Sequence, residues 1–379
     1  MNSVSHSKKL LKEALNTSYD DLSQEVENIL KDPTPLLFFS ATKKVAGAFA
    51  WTSNALFTCV ASHTKVGLKK HSEVINKDEL EILKKVATNK AIDFDEIPLE
   101  QVFKLVQKEM VYSRLNPRHK SVLKCPKIKP TIVLVGGVFN ELFNSASFER
   151  GTKTLQKKHG FNYFVPKIHG TKGVKINAQL LAEQLSEYMK DHPHEKLWIL
   201  AHSKGGLDSL HFLKNNKNFA EKHIVGLSTI ATPILGTAHT EHLFLKAIRF
   251  LHSFPKKVVK GLDIIAEDTQ NSLSKKYSEG WFKKNHKELP QNIFYSAVAL
   301  EAQWNESHLW MMLTKMLFYT NKPNDGIVLV EQARFPDYFP AINFGVIKGH
   351  HLIGARSSTY IQEALIEAHF VMLTYLKAI

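Results

Sequence analysis

One stretch near the middle of the chain constrains the fold more than any other. The apolar run 197–201 has the composition of a buried strand, and Ser203 follows it two residues later. Gly205 and Gly206 come next, and they open a segment in which apolar residues recur at helical spacing. We therefore predict a strand, a sharp turn and a helix, with the serine hydroxyl exposed at the turn.

Small residues on both sides of the serine allow such a turn to form. Ala201 lies two residues before Ser203 and Gly205 two residues after it, so the pattern is AxSxG, a variant of GxSxG. A serine hydroxyl attacks a carbonyl carbon only if it stands clear of the backbone beside a base. The N-terminus of the following helix also directs free N–H groups at a developing oxyanion. The pattern thus predicts a nucleophile, Ser203, with the N–H of Lys204 as an oxyanion donor.

Strands and helices alternate around this turn. Further strands are predicted over 131–135, 162–165, 224–230, 293–298 and 341–347. Helical patterns over 148–158 and 176–190 separate several of them, and a closing helix over 359–377 has Thr359 and Gln362 at the spacing of a capping box. Such alternation requires crossover connections, so we predict an α/β fold with a mainly parallel sheet.

The composition changes near residue 130, which suggests two regions. Residues 1–129 are predicted to form a helical N-terminal region of unknown role, and residues 130–379 the α/β domain. Within that domain the alternation is interrupted over 232–290, where a basic amphipathic pattern indicates a helical insertion. An insertion just past a strand's C-terminal end lies over the active-site edge of such a sheet, so it is interpreted either as a mobile lid or as a cap held by packing.

Charge bears on the partners of the chain. Hydrophobic residues make up 44% and charged residues 23%, which is typical of a soluble globular protein. The net charge of +14 suits peripheral association with an anionic membrane, although solubility alone also explains it. No nucleic-acid motif accompanies the charge, and no nucleic acid is expected as a partner.

Three short features of the sequence bear on the location of the protein and on its need for cofactors. The weakly polar run 45–61 is short for a membrane span, so it is interpreted as a buried helix or as one lying in a lipid interface. The polar start, Met1 to Lys12, lacks the apolar core of a conventional signal peptide, which favours a cytoplasmic or peripheral membrane location. Cys59 and Cys125 have neither disulfide nor metal-ligand spacing, and we expect no metal and no cofactor.

A nucleophilic serine needs a base, and the base needs a carboxylate. In the chain order serine, acid, histidine, the best candidates are Asp325 and the pair His350–His351, each at the end of a predicted strand. Asp263 and Asp268 in the insertion are weaker candidates for the acid. His202 is expected to face away from Ser203, and His169, His239 and His242 at most to line the pocket.

The strand 131–135 ends in Gly136 and Gly137, which makes Val138 the candidate for the second oxyanion donor, although an ordinary turn also explains these glycines.

The motifs and their order resemble bacterial triacylglycerol lipases of the α/β-hydrolase fold. The resemblance covers residues from about Thr131 to Ile379 and rests on the segments 134–137, 201–208, 231–237, 324–328 and 351–352. It implies a triad of Ser203, Asp325 and His351, with His350 as the alternative base. This chain has Gly136-Gly137 in place of the family's usual His-Gly, and residues before Thr131 have no counterpart there.

Together the residues and the resemblance predict a serine carboxylester hydrolase acting on acyl esters or lipids. Two other functions are consistent with the sequence. An acyltransferase would use the same acyl-enzyme with an alcohol acceptor, and a membrane-binding or partner-binding protein on a hydrolase scaffold would be non-catalytic.

Overall fold

A parallel sheet of six strands organises the described part of this computed structural model. That part comprises residues 11–20, 23–24, 45, 48–49, 52–53, 75–116, 118–138, 146–237, 267–302, 322–356, 358 and 360–379. The strands are β1 (Thr131–Val135), β2 (Tyr163–Phe164), β3 (Leu197–His202), β4 (Ile224–Ile230), β5 (Phe294–Glu301) and β6 (Ile342–Lys348). Their order is β2-β1-β3-β4-β5-β6, and each of these pairings is parallel.

Helices cover both faces of the sheet. The α-helices are α1 (Lys77–Ala87), α2 (Leu99–Leu115), α3 (Glu149–His159), α4 (Val174–Asp191), α5 (Lys204–Asn215), α6 (Lys217–His223), α7 (Glu267–Leu273), α8 (Lys275–Asn285) and α9 (Gln362–Tyr375). Short 3-10 helices lie at His286–Glu288, Val330–Ala333 and His351–Gly354. Residues 11–20 are also helical. This arrangement confirms the predicted α/β class and the mainly parallel sheet.

Alternate side chains of β3 enter two different cores. Trp198 and Leu200 pack in the core that includes side chains of α2, α3 and α9. Leu197, Ile199 and Ala201 pack in the core that includes side chains of α4 and α5. Because both faces of β3 are covered, a continuous apolar run is the pattern expected for it.

The closing helix α9 begins later than the sequence suggests. Its N-terminal flanking residue is Ile361, which makes no side-chain capping bond, and Thr359 of the predicted capping box lies outside the described residues. The Gln362 side chain is buried and donates instead to the carbonyl oxygens of Ile353 and Ala355, at 2.8 and 2.9 Å. These bonds join α9 to the segment that follows His351, so tertiary contacts override the local signal.

The described N-terminal helices pack directly on the sheet domain. Phe103 of α2 stacks on Phe344 of β6 with ring centroids 4.8 Å apart. Arg334 donates to Glu100 of α2 at 3.0 Å. The core that contains these aromatic rings also includes α9, so residues 99–115 share the hydrophobic core of the sheet.

The described C-terminal part of the insertion includes α7 and α8. The hydroxyl of Thr269 donates to the carbonyl oxygen of Thr171 at 2.9 Å. The N–H of Thr237 donates to the carbonyl oxygen of Leu273 at 2.8 Å. Trp281 stacks on His211 of α5 with centroids 4.0 Å apart. The basic amphipathic pattern of the insertion and nearly all of the run 45–61 lie outside the described residues. No helix in the described ranges is both long enough and apolar enough to cross a bilayer.

Three buried histidines predict a loss of stability in acid. Burial lowers the pKa of His202, His211 and His369 to about 3 in each case, against about 6.5 in an unfolded chain. Between these values the unfolded state binds protons that the folded state does not, so the free energy of unfolding falls as pH falls. Each group contributes up to about 1.4 kcal/mol per pH unit.

Urea denaturation at several pH values from about 7 down to 5 checks this. His369→Gln removes one of the three groups, and we expect the slope of unfolding free energy against pH to decrease. His194 is exposed, so His194→Gln serves as the control and should leave the slope as it is. Equal slopes for His369→Gln and the unsubstituted protein would contradict the prediction.

Candidate active site

Ser203 occupies a strained turn between β3 and α5. Its backbone has φ 54° and ψ −133°, and a positive φ is uncommon for residues other than glycine. The N–H of Ser203 donates to the carbonyl of Ile230 at 3.0 Å, and the N–H of Gly206 donates to the carbonyl of Ser203 at 3.1 Å. The predicted strand, turn and helix are therefore present, and the turn is held by backbone bonds.

Close backbone approach explains the glycines around this turn. A Cβ at Gly205 would lie 2.4 Å from the carbonyl oxygen of Val135 and 2.5 Å from that of Gly136. A Cβ at Gly137 would lie 2.7 Å from the Cβ of Ser203. Glycine at these positions lets the start of α5 and the turn after β1 meet at Ser203.

Gly205→Ala is accordingly expected to destabilise the protein. The new methyl group would overlap two backbone oxygens, and overpacking of this kind costs about 1–3 kcal/mol. Gly280 in α8 provides the matched control, because a Cβ there would have no atom within 4 Å. Gly280→Ala should raise stability by about 0.4–1 kcal/mol. Thermal or urea denaturation of both variants measures the difference, and equal stabilities would refute it.

A chain of short hydrogen bonds connects Ser203 with the candidate base and acid. Ser203 Oγ lies 2.7 Å from Nε2 of His351, and Nδ1 of His351 lies 2.7 Å from Oδ2 of Asp325. The side chains of His351 and Asp325 are each 1% exposed. Because a carboxylate oxygen only accepts, Nδ1 carries the imidazole proton and Nε2 is free to accept the serine proton.

Backbone bonds hold Asp325 in place. Its Oδ1 accepts the N–H groups of Ile327 and Val328 at 2.9 and 2.8 Å. Its carbonyl oxygen accepts the N–H of His351 at 2.9 Å. The turn that carries the candidate acid is thus joined by its backbone to the segment that carries the candidate base.

The structure brings His351, of the two adjacent histidines, to Ser203. His350 precedes the 3-10 helix 351–354, and its Nδ1 accepts the N–H of Leu352 at 3.2 Å. Of the other acid candidates, Asp263 lies outside the described residues and Asp268 lies in α7. His239 and His242 also lie outside the described residues.

His202 contacts the backbone of His351, the candidate base, and sequence reasoning missed this contact. Its Nε2 lies 2.9 Å from the carbonyl oxygen of His351, so Nε2 carries the proton and donates. Nδ1 then accepts from Ser147 Oγ at 3.0 Å. Burial, followed by the charge of a protonated His351, lowers the pKa of His202 to about 3, which keeps the ring neutral in this arrangement. Only the adjacency of His202 to Ser203 could have suggested the contact.

The two candidate oxyanion donors lie at the start of α5 and in the turn after β1. Lys204 is the first residue of α5, where backbone N–H groups have no partner within the helix. Val138 is buried in the turn after β1, next to Gly137, which lies against Ser203. The side chain of Lys204 is itself buried and pairs with Asp208 of the same helix.

One further group of potential ligands lies close together among the described residues. It consists of Cys125, His159 and Glu367. Glu367 is already ion-paired with Arg114. Burial and the charge of Glu367 raise the pKa of Cys125 to about 12, so its thiol stays protonated. We assign no metal to this group.

The fold has relatives among solved esterase structures. A metagenomic carboxyl esterase, MGS0156, is 19% identical with a TM-score of 0.54, over 68% of this chain and 79% of the esterase. The mature lipase BlEst2 of Bacillus licheniformis is 22% identical with a TM-score of 0.45, over 62% of this chain and 89% of the lipase. No curated protein matches the sequence.

A family model matches the middle part of the chain. Residues 162–334 match the family described as "Putative serine esterase (DUF676)". The matched range includes Ser203 and Asp325 and ends before His351. Combined with the likeness in fold, this match confirms the predicted enzyme class. The chain is a carboxylic ester hydrolase of the α/β-hydrolase fold, and its family match lies within residues 162–334.

Proposed function

We propose that Ser203, His351 and Asp325 form a triad that hydrolyses acyl-lipid esters through an acyl-enzyme. The observation that carries this proposal is the pair of 2.7 Å hydrogen bonds that link the three side chains. A nucleophile bonded to a base, and a base bonded to an orienting acid, is the arrangement that serine hydrolysis requires. A protein that only binds a partner does not require these two hydrogen bonds. Their presence therefore favours a catalytic function over the non-catalytic alternative.

In the first half of the reaction, Ser203 Oγ attacks the ester carbonyl carbon and its proton moves to Nε2 of His351. Asp325 stabilises the imidazolium through the bond at Nδ1. The N–H groups of Lys204 and Val138 donate to the oxyanion. Collapse of the tetrahedral intermediate breaks the bond to the alcohol oxygen, which takes the proton from Nε2, and an acyl-serine remains.

In the second half, a water molecule loses a proton to Nε2 of His351 and attacks the acyl carbon. The tetrahedral intermediate collapses with return of the proton to Ser203 Oγ, and a carboxylic acid leaves. His351 is thus a base and then an acid in each half. No step needs a metal ion or an organic cofactor.

Two observations support an acyl-lipid substrate. The buried side chains that cluster with Val138 beside the oxyanion turn are apolar, namely Val174, Leu207 and Leu273, with Tyr277 packed against them. Such surroundings suit an ester with an apolar acyl group. The net charge of +14 suits an anionic lipid surface, where the enzyme would meet its substrate peripherally.

A fluorophosphonate probe tests the nucleophile, and a series of p-nitrophenyl esters tests the substrate. We expect the probe to label Ser203, as mapped by peptide mass spectrometry, and longer acyl chains to be hydrolysed faster when anionic vesicles are present. An unlabelled Ser203 together with no ester hydrolysis would overturn the proposal. Transfer of the acyl group to added glycerol, in place of free acid, would instead identify an acyltransferase.

A further inference from the structure

The side chain of Lys204 is completely buried directly beside the nucleophile. Its exposure is 0%, and Nζ lies 2.9 Å from Oδ1 and 3.0 Å from Oδ2 of Asp208, one turn along α5. Lysine is almost never fully buried unless it is paired. Removing both charges from water costs several kcal/mol per ion, so such a pair is weak evidence for stability alone.

The pair extends to a second helix through Asn177 of α4. Asn177 Nδ2 donates to Oδ2 of Asp208 at 2.9 Å. The same nitrogen donates to the carbonyl oxygen of His169 at 2.8 Å, while Oδ1 of Asn177 accepts the N–H of His169 at 3.2 Å. Asn177 is 0% exposed. Both ends of its amide are therefore used, and they hold the backbone of residue 169.

The backbone at Gly170, next to His169, lies close to the turn after β1 that contains Gly137 and Val138. A Cβ at Gly170 would lie 2.3 Å from the carbonyl oxygen of Val138 and 3.0 Å from that of Gly137. Gly137 in turn lies against Ser203. A continuous path of contacts therefore runs from the Lys204 ammonium through Asp208, Asn177 and the 169–170 backbone to Val138.

We propose that Asn177 and the Lys204–Asp208 pair are positioning residues that hold the Val138 turn at the oxyanion site. This inference rests on the proposed function, in which Val138 and Lys204 supply the two oxyanion donors. Lys204 then contributes to both donors. Its own N–H is one of them, and its side chain helps to hold the turn that carries the other, the N–H of Val138. Donors must lie about 2.7–3.1 Å from the oxyanion, so a loosened turn weakens binding of the tetrahedral intermediate more than binding of the substrate.

Asn177→Leu removes all three hydrogen bonds at nearly constant volume. We expect kcat for a p-nitrophenyl ester to fall about 10- to 100-fold, as for a displacement of roughly 1 Å at a reacting centre, with KM changed less than about twofold. The affinity for an alkyl boronic acid, which forms a tetrahedral adduct with the serine, should fall in parallel with kcat. The concentration of active sites is titrated with the fluorophosphonate, and kcat is calculated per titrated site. Unfolded protein, which does not react with the probe, is therefore excluded.

Glu367→Gln is the matched control, because the buried Glu367 of α9 pairs with Arg114 of α2, and neither helix carries a residue of this path. It should lower the thermal midpoint while kcat per active site stays unchanged. If Asn177→Leu does not fold, Asp208→Asn is measured in the same way, since it removes the charge of the pair at the same shape.

The outcomes separate the two proposals. If the unsubstituted protein hydrolyses esters and the Asn177 or Asp208 variant keeps kcat per active site and boronate affinity within twofold, the positioning role is wrong and the triad stands. If the unsubstituted protein neither hydrolyses esters nor labels at Ser203, the proposed function is wrong and the positioning role falls with it.

Discussion

Ser203→Ala is expected to lower kcat for ester hydrolysis by about 10⁴- to 10⁶-fold. Alanine has no nucleophile, so no acyl-enzyme forms and only oxyanion stabilisation and binding remain. The change removes one hydrogen bond, from Ser203 Oγ to His351 Nε2, and a single bond contributes about 1 kcal/mol to stability. The thermal midpoint should therefore shift by only a few degrees.

Initial rates with a p-nitrophenyl ester and thermal denaturation of the same preparations measure both effects. Ser113 in α2 offers a control, since its Oγ donates to the carbonyl of Met110 within the same helix, at 2.9 Å. Ser113→Ala should retain full activity. A Ser203→Ala enzyme with undiminished hydrolysis would rule out Ser203 as the nucleophile.

Asp325→Asn has the second largest expected effect, a fall in kcat of about 10³- to 10⁴-fold near neutral pH. The amide nitrogen at the position of Oδ2 donates, so it favours the His351 tautomer in which Nδ1 accepts. Nε2 then carries the proton, faces Ser203 Oγ and cannot take its proton. The retained Oδ1 still accepts from Ile327 and Val328, so the turn should keep its shape.

Stability and activity again need to be compared in the same variant. The exposed Asp337 supplies an isosteric control, and Asp337→Asn should leave kcat unchanged. A reduction of less than about tenfold for Asp325→Asn, with the fold intact, would show that Asp325 does not orient the base.

Local patterns were sufficient for the elements next to Ser203. The apolar run of β3 predicts a buried strand because both of its faces are covered, and Gly205 predicts a close approach that the backbone oxygens of Val135 and Gly136 then define. The same reasoning missed the contacts of Gln362. Its spacing to Thr359 fits a capping box, yet its amide serves the carbonyls of Ile353 and Ala355, which no local pattern could show.

Contacts between distant segments were beyond the sequence. Apart from the adjacency of His202 to Ser203, no local signal indicates that His202 donates to the carbonyl of His351, a contact that spans 149 residues. In the sequence, Asn177 is likewise one of several polar residues on a predicted amphipathic helix, and nothing near it indicates a bond to Asp208. Its link to Asp208 arises only because α4 and α5 pack side by side.

The amino-acid sequence by itself predicted the turn at Ser203, the α/β class and the chain order of the candidate nucleophile, acid and base. These depend on apolar periodicity, on residue size near the turn and on the succession of strand ends, all of which short segments encode. Only the tertiary structure decided that His351 and not His350 meets Ser203, at 2.7 Å across 148 residues. The parallel packing of β3, β4, β5 and β6 brings their C-terminal ends to one edge of the sheet. There the side chain of His351 bonds Asp325, while that of His350 accepts the N–H of Leu352, and no short segment encodes these contacts.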